Sequence, residues 1–360
     1  MEGELYSFLK VSLLVIVSLL YCYALEKIIP QGNKRLLCAL PIVFFFLTVP
    51  LNYSIIHFRG TTAFFIGWLA NFKLLLFAYG KGPLSSNSSL SLGLFMAVAC
   101  LPIKIQQSQH QNSHVNGRAK QNPVPRTGQK SVLNYATKGV LYASTVRLCD
   151  SRQHIHPDII SLLYCCQIYF YLEITLALAG YLAGALFGFE LEPQFNEPYL
   201  SSSLQDFWGR RWNLMVSSIL RPTVYEPVRK TCTPFIGRRP AQLTAIFGTF
   251  VVSGAMHELI LSLLGNGWPT WEVTCFFLLH GSCLVAEVAV KQAINDRWRL
   301  PRLMSTPLAV GFVLVTGYWL FLPPLIRCQV FDSGFKEYDM LREFLMDGWS
   351  NVRYKVFQLI

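Results

Sequence analysis

Long apolar runs separated by short polar stretches dominate the chain. A helix that crosses a bilayer needs about 20 mostly apolar residues, and about eight runs approach that length. The predicted spans cover residues 6–25, 36–53, 61–79, 90–103, 157–187, 241–264, 271–290 and 304–325. The fourth run is short, and the fifth is long enough to be tilted or broken. This pattern predicts an all-α, polytopic transmembrane bundle that forms one domain over residues 1–360.

Two polar regions interrupt this pattern and predict different structures. Residues 104–131 hold basic but no acidic side chains and are rich in Gln, Asn and Ser, so we expect a solvated, mobile loop. Residues 190–240 are polar but full of Trp, Pro and Arg, so we expect a re-entrant or interfacial region that folds against the bundle. Residues 132–148 form an amphipathic segment that either lies on the membrane surface or joins the bundle.

Composition places the chain in the membrane class. Apolar residues make up 52% and charged residues only 14%, whereas soluble domains carry about 25% charged residues. The formal net charge is +11, but the basic residues are scattered between spans, which disfavours nucleic acid as a partner. The ten cysteines include no C-x-x-C pair, and His154, His156 and Asp158 lack a third histidine at a helical spacing. We therefore predict no metal site.

Ionisable side chains inside apolar spans are costly to bury, so each is a candidate for function. His257 is the strongest, because it lies deep in the span 241–264 and shares a helical face with Thr249 and Ser253 at four-residue spacing. Such a stripe faces a cavity or another helix, and its two hydroxyl residues are candidates for lining a tunnel. A neutral imidazole there can act as a general base towards a hydroxyl. A structural histidine explains the position equally well.

A second pair of candidates lies in the next predicted span. His280 and Glu287 stand seven residues apart, which puts them on nearly the same helical face. The pair either stabilises helix packing, the interpretation we favour, or lines the same cavity as His257. Glu173 and Glu258 complete the short list of ionisable candidates in these spans.

The stretch 206–213 reads DFWGRRWN and suits a membrane interface, where Trp and Arg are common. With the residues that follow, it supplies six cationic groups between two apolar regions. They are Arg210, Arg211, Arg229, Lys230, Arg238 and Arg239. Guanidinium groups match phosphate geometry, so the four arginines at 210, 211, 238 and 239, with Trp208 beside them, are candidates for binding an anionic head group. Taken alone, the stretch is better explained as ordinary basic charge at a membrane loop.

Four stretches resemble the plant wax synthases, the jojoba-type branch of the membrane-bound O-acyltransferase superfamily. They read WLANFKLLLFAYGKGPL at 68–84, CLPIK at 100–104, SLQDFWGRRWNLMVSSILRPTVYEPV at 203–228 and FVVSGAMHELI at 250–260. The resemblance runs from the first predicted span to about residue 325, and the tryptophan-rich and M-H-E-L blocks are its specific part. It implies a helical bundle around a tunnel through the bilayer.

The resemblance also implies roles for two residues. His257 falls on the hallmark histidine of the family, and Asn213 falls on its second characteristic polar residue, although this chain has Arg211-Trp212-Asn213 where the superfamily often has W-W-N. The implied reaction moves a fatty acyl group from acyl-CoA to a lipid alcohol, with His257 as general base. Asn213 would donate a hydrogen bond to the oxyanion or to CoA. Direct attack implies a ternary complex and no cofactor, and the arginines would hold the CoA head.

The implied acceptor is a long-chain fatty alcohol, and the product is a wax ester in the endoplasmic reticulum membrane. Sterol ester formation and acetyl transfer to diacylglycerol are the alternatives within the family. Outside it, buried His and Glu would also suit a proton-coupled transporter, but neither the internal repeat nor the paired broken helices of many transporters are found. A structural scaffold would need neither the histidine stripe nor the arginine cluster.

Overall fold

The computed structural model describes residues 2–85, 90–102, 132–187, 192–265, 267–294 and 300–357, and none of these residues forms a β-strand. Their helices are α1 (Glu2–Ile28), α2 (Asn33–Thr48), α3 (Ile56–Ala78), α4 (Leu92–Cys100), α5 (Val132–Asp150), α6 (Pro157–Phe187), α7 (Leu214–Leu220), α8 (Glu226–Ile236), α9 (Arg238–Gly265), α10 (Glu272–Ala293), α11 (Arg302–Arg327) and α12 (Val330–Phe357). Short 3₁₀ turns lie at Val49–Asn52, Pro83–Ser85, Arg152–His154 and Pro198–Leu200.

Seven of the described helical segments are long and apolar enough to cross a membrane. They are Gly3–Ile28, Asn33–Asn52, Ile56–Ala78, Pro157–Phe187, Arg238–Gly265, Glu272–Ala293 and Arg302–Arg327. Each overlaps one of the predicted spans, so the predicted all-α, polytopic architecture is confirmed. The predicted loop at 104–131 lies outside the described residues.

The predicted fourth span is the exception. The described part of this run, residues 90–102, contains only α4, whose nine residues rise about 14 Å, less than half of the roughly 30 Å hydrocarbon core. Leu101 is extended because it precedes Pro102, which disfavours the helical conformation. The fully buried Lys73 of α3 donates to the carbonyl oxygens of Val98 and Leu101, at 2.7 and 2.6 Å. The buried amino group of Lys73 therefore satisfies carbonyl groups at the end of this short helix.

The amphipathic segment predicted at 132–148 is helix α5, which packs along α6. Its Lys138 is buried, and the ammonium lies 2.7 Å from a carboxylate oxygen of Glu173 in α6 and 3.4 Å from one of Glu197. A charge buried at this depth is stable only when it is paired. The ion pair therefore identifies α5 as part of the bundle.

Helices α9 and α10 pack closely because glycine faces the neighbouring helix at two points. A Cβ atom built on Gly281 would lie 2.8 Å from the Cβ of Phe250, and one built on Gly254 would lie 3.2 Å from the Cβ of Phe277. Small residues at such positions let two membrane helices approach one another closely. We call this contact the glycine seam; it carries His257 on one helix and His280 on the other.

The C-terminal helix α12 returns to the start of α3. The carboxylate of Glu337 accepts the backbone N–H groups of Ile56 and His57, which begin α3, and it also pairs with the His57 ring. Nearer its own start, Phe331 stacks on Tyr164 of α6 with ring centroids 3.9 Å apart. These contacts fasten α12 to two of the spans.

Candidate active site

His257 lies in α9 with aromatic rings on three sides. Phe277 of α10 stacks on the imidazole with centroids 4.3 Å apart, Trp68 of α3 meets it edge-on at 4.9 Å, and Phe321 of α11 lies at 6.0 Å. The ring is half-buried. Four different spans thus contribute to its surroundings, as expected of a residue that lines a space inside a bundle.

The hydrogen bond of His257 determines which ring nitrogen is basic. Nδ1 lies 2.7 Å from the backbone carbonyl oxygen of Ser253, one turn earlier in α9. Because a carbonyl oxygen can only accept, Nδ1 carries the proton and Nε2 keeps its lone pair. No hydrogen bond to Nε2 is found among the described residues. This contact uses the backbone of Ser253 and not its hydroxyl, and the Thr249 hydroxyl donates to its own helix at the Ile246 carbonyl. The tunnel-lining role of the two hydroxyl residues stays a prediction.

His280 has the opposite arrangement. It is fully buried, and its Nδ1 lies 3.1 Å from the indole Nε1 of Trp208. An indole N–H can only donate, so Nδ1 accepts and the proton sits on Nε2, which is 2.8 Å from the Thr316 hydroxyl. Nε2 carries the proton and the Nδ1 lone pair accepts the indole N–H of Trp208, so neither nitrogen can act as a base towards a substrate.

Glu287 lies near His280 on α10 and contacts the same neighbouring segment. Its carboxylate accepts the backbone N–H of Leu204 at 2.9 Å and that of Gln205 at 3.4 Å, and Lys291 lies 2.6 Å away. We call residues 203–213, which begin at this contact, the Trp208 segment. The two residues that the sequence placed on one face therefore both hold this segment.

Arg211 and Asp206 form an ion pair inside the Trp208 segment. Nε of Arg211 donates to Asp206 at 2.8 Å, and NH1 donates to the carbonyl oxygens of Asn196 and Glu197 at 3.1 and 3.2 Å. Burial opposes ionisation of Asp206, but Arg211 and the backbone N–H of Ser202 outweigh it and hold the pKa of this carboxyl below its usual value. The guanidinium of Arg211 therefore already has partners within the protein.

The other three candidate arginines differ from Arg211 in exposure and in ion pairing. Arg210, Arg238 and Arg239 are exposed, and no ion pair involves them among the described residues. Arg229 pairs instead with Glu226 at 2.8 Å on α8. Arg238 and Arg239 begin α9, the helix that carries His257.

Asn213 ends the Trp208 segment and starts α7. Its backbone is left-handed, with φ 38°, and its Oδ1 accepts the backbone N–H of Val216 at 3.3 Å, so the residue caps the helix. The side-chain NH2 group remains as a donor. Helix α7 packs in a cluster with Trp68 and Met256, the neighbours of His257. No hydrogen bond joins Asn213 to His257 among the described residues.

Three aromatic residues around His257, namely Trp68, Phe277 and Phe321, were not singled out from the sequence as site residues. Trp68 and Phe321 belong to π-helical turns, Ala63–Ala70 in α3 and Gly317–Phe321 in α11, and Trp208 belongs to a third, Phe207–Arg211. Such turns are rare and occur frequently at functional sites. The quoted 68–84 stretch, which begins at Trp68, is the one sequence signal that touches this wall.

Glu258, next to His257, holds the start of the neighbouring helix α10. Its carboxylate accepts the backbone N–H of Trp271 at 2.8 Å, and both the N–H and the hydroxyl of Thr274 at 3.2 Å. These donors belong to the start of α10, so Glu258 caps that helix from α9. Among the described residues, no group of three or more His, Cys, Asp or Glu could hold a metal ion.

A groove of about 430 Å³ opens between α6 and α11. Its lining includes Ser161, Tyr318, Trp319, Leu322, Ile326 and Arg327. The Tyr318 hydroxyl donates to Asp158 at 2.8 Å, which makes one end polar. The groove shares the turn Gly317–Phe321 with the wall of the His257 site.

Comparison with known proteins assigns a family to this arrangement. Residues 191–279 match the Membrane bound O-acyl transferase family, a stretch that includes Trp208, Asn213 and His257. The chain is 46% identical over 343 residues to acyl-CoA–sterol O-acyltransferase 1 of Arabidopsis thaliana, covering 95% of this chain and 96% of that protein.

Two further relatives have another activity in their names. Identity is 44% over 341 residues with the long-chain-alcohol O-fatty-acyltransferase of Simmondsia chinensis, covering 94% of this chain and 95% of that protein. It is 42% over 347 residues with probable long-chain-alcohol O-fatty-acyltransferase 3 of Arabidopsis thaliana, covering 96% and 97%. The chain therefore belongs to the membrane-bound O-acyl transferase family, in its wax synthase-type branch.

Proposed function

We propose that the protein transfers a fatty acyl group from acyl-CoA to the hydroxyl of a long-chain fatty alcohol, releasing a wax ester and CoA. Similarity to the long-chain-alcohol acyltransferase over nearly the whole chain supports the reaction class. The observation that carries the proposal at the site is the tautomer of His257. Its Nδ1–H is taken by Ser253, so Nε2 is a base inside an aromatic pocket.

The chemistry follows from that base. An alcohol is a poor nucleophile until its proton is removed, and Nε2 of His257 takes this proton as the oxygen attacks the thioester carbonyl. A C–O bond forms, the C–S bond breaks, and the proton passes from His257 to the CoA thiolate. The Asn213 NH2 group donates to the oxyanion of the tetrahedral intermediate. Because the alcohol attacks directly, both substrates are bound together, with no acyl-enzyme and no cofactor.

The CoA head requires cations at the membrane edge. The exposed Arg210, Arg238 and Arg239 are free to bind its phosphates, whereas Arg211 is held by Asp206. The start of α9 therefore receives the head group, and the pantetheine arm follows the same helix so that the thioester reaches His257.

The acceptor is a lipid and reaches the site from the bilayer. The groove between α6 and α11 is lined largely by apolar side chains, which suits the long chain of the acceptor. The turn Gly317–Phe321 separates this groove from His257, and Phe321 stands on the inner side. We place the protein in the endoplasmic reticulum membrane, where acyl-CoA and lipid alcohols meet.

A sterol is the second candidate acceptor. The identity of 46% with the sterol acyltransferase favours it as much as the 44% identity with the alcohol acyltransferase favours a fatty alcohol. Both acceptors present one hydroxyl on an apolar body, and the same base would serve either of them.

The decisive experiment is ester formation in microsomes from cells that lack neutral-lipid synthesis. Labelled palmitoyl-CoA and acetyl-CoA are each offered with hexadecanol, a sterol or diacylglycerol, to wild type and to His257→Ala. Wax ester from wild type and none from the variant is the expected result. Sterol ester or acetylated diacylglycerol would keep the mechanism and change the acceptor. No ester from any pair, with the protein in the membrane, would favour a transporter.

A further inference from the structure

We propose that His280 is a positioning residue for acyl transfer. It holds the indole of Trp208 and, through that ring, the Phe277 side chain that forms one face of the His257 pocket. This inference rests on the proposed function, because the role assigned to His280 is to keep the base aligned. His280 itself has no free lone pair and touches no substrate.

The hydrogen bonds of His280 form an ordered chain across three parts of the fold. Trp208 donates its indole N–H to Nδ1 at 3.1 Å, and Nε2–H donates to the Thr316 hydroxyl at 2.8 Å. Thr316 in turn donates to the carbonyl oxygen of Phe312 at 2.7 Å. The chain runs from the Trp208 segment through α10 to α11. A side chain in the middle must accept on one side and donate on the other.

The aromatic contacts connect this chain to His257. The Trp208 ring lies 5.9 Å from Phe277 and 5.6 Å from Phe250, and Phe277 stacks on His257 at 4.3 Å. Close-packed interiors transmit small displacements instead of absorbing them. If the indole turns, Phe277 must follow, and the imidazole loses the ring against which it is stacked.

The far end of the same segment carries Asn213, whose amide is the proposed oxyanion donor. Glu287 holds the start of the segment at Leu204, and His280 holds its middle at Trp208. Two contacts from one helix thus set the position of the segment relative to α9. His280 is the contact nearer to both proposed catalytic residues, so its loss should affect turnover most.

The role predicts a specific set of kinetic changes. His280→Leu should lower kcat by about 10-fold to 100-fold, because small misplacements of reacting groups cost that much. The KM for acyl-CoA and the shape of the pH–rate profile should stay unchanged, since the base is still His257. His280→Asn should recover most of the rate, because its amide can accept from Trp208. Trp208→Phe removes the indole N–H together with part of the ring that packs on Phe277, and it should reproduce the loss.

The test compares these variants and the double variant Trp208→Phe/His280→Leu with wild type in the ester assay. Exposed Ser282 lies on the same helix and bonds only within it, so Ser282→Ala is the matched control. We expect the double variant to be no slower than either single one. Thermal unfolding in detergent should show the same lack of additivity.

Each alternative result overturns the role. Full activity of Trp208→Phe or His280→Leu would show that the contact does not align the base. A changed pH–rate profile in His280→Asn would make His280 itself the base, and a raised acyl-CoA KM at unchanged kcat would make Trp208 a donor-binding residue. If His280→Leu does not accumulate, Trp208→Phe and His280→Asn decide. An inactive wild type overturns the proposed function and this role together, whereas active wild type with active variants overturns this role alone.

Discussion

The Nδ1 atom of His257 lies 2.7 Å from the carbonyl oxygen of Ser253, one turn earlier in the same helix. This contact distinguishes the two histidines of the site. His257 presents a free Nε2, whereas both nitrogens of His280 are bonded. Of the two histidines, only His257 therefore has the arrangement that the proposed proton transfer from an alcohol requires.

Replacing the base should remove turnover and leave the fold intact. We expect His257→Ala and His257→Asn to lower kcat by about 100-fold to 10,000-fold, the usual range for a general base. Kinetics in detergent, with size-exclusion profiles of each variant, check this. His156→Ala is the control, because His156 is an exposed histidine at the start of α6. Normal kcat in either His257 variant would contradict the assignment.

Neutralising the exposed arginines should weaken donor binding only. We expect Arg238→Gln/Arg239→Gln to raise the KM for acyl-CoA about tenfold, because two solvent-exposed ion pairs contribute up to about 1 kcal/mol each, and about 1.4 kcal/mol is tenfold in affinity. The kcat and the KM for the alcohol should not change. Arg147→Gln removes an exposed arginine of α5 and should have no effect. A fall in kcat without a change in KM would place the two arginines outside the donor site.

The cap on α10 should be a larger source of stability than the ion pair beside it. Glu258→Ala leaves the N–H groups of Trp271 and Thr274 without their acceptor, and we expect a loss of about 1–3 kcal/mol. Glu272→Gln breaks a surface pair with Arg327 and should cost at most about 1 kcal/mol. Thermal unfolding in detergent measures both. Equal losses would mean that Glu258 does not cap the helix.

The Asp206–Arg211 pair should make stability depend on pH. The folded pKa of Asp206 is depressed, so the ionised carboxylate stabilises the fold above the unfolded pKa of about 3.9. This contribution is lost as the pH falls through the folded pKa. Asp206→Asn should therefore be less stable than wild type near neutral pH, and the difference should shrink below about pH 4. A stability difference between wild type and variant that is constant over this pH range would rule out the pair as its source. Asp150→Asn, which changes an exposed acid, is the control.

Run length predicted the spans well, because apolar length is a property of the sequence alone. It was wrong at residues 90–103, where the apolar run is short, Pro102 follows the end of its helix, and Lys73 from another span bonds to the last carbonyl groups. From the sequence alone, Lys73 only weakens the prediction of the span that contains it. The carbonyl groups that it bonds to lie about 25 residues further along the chain, and no local pattern pairs them with Lys73.

The candidate site was predictable only in part for the same reason. The position of His257 in a span, and the common face of His280 and Glu287, follow from helical periodicity. The tautomer of His257 and the aromatic rings around it depend on residues from four spans. The hydrogen bonds of Arg211 depend on the fold of residues 196–211. None of these has a local signal.

The glycine seam between α9 and α10 limits where the enzyme can change its substrate range. Gly254 and Gly281 leave no room for a chain to pass between these helices, and any larger side chain there would force apart the walls that hold both histidines. Variation that alters the acceptor must therefore accumulate on the opposite wall, at Trp68 and on the turn that bears Phe321. The close helix contact thus restricts substitution on one side of the pocket, and the other side is where changes of ester product can be engineered.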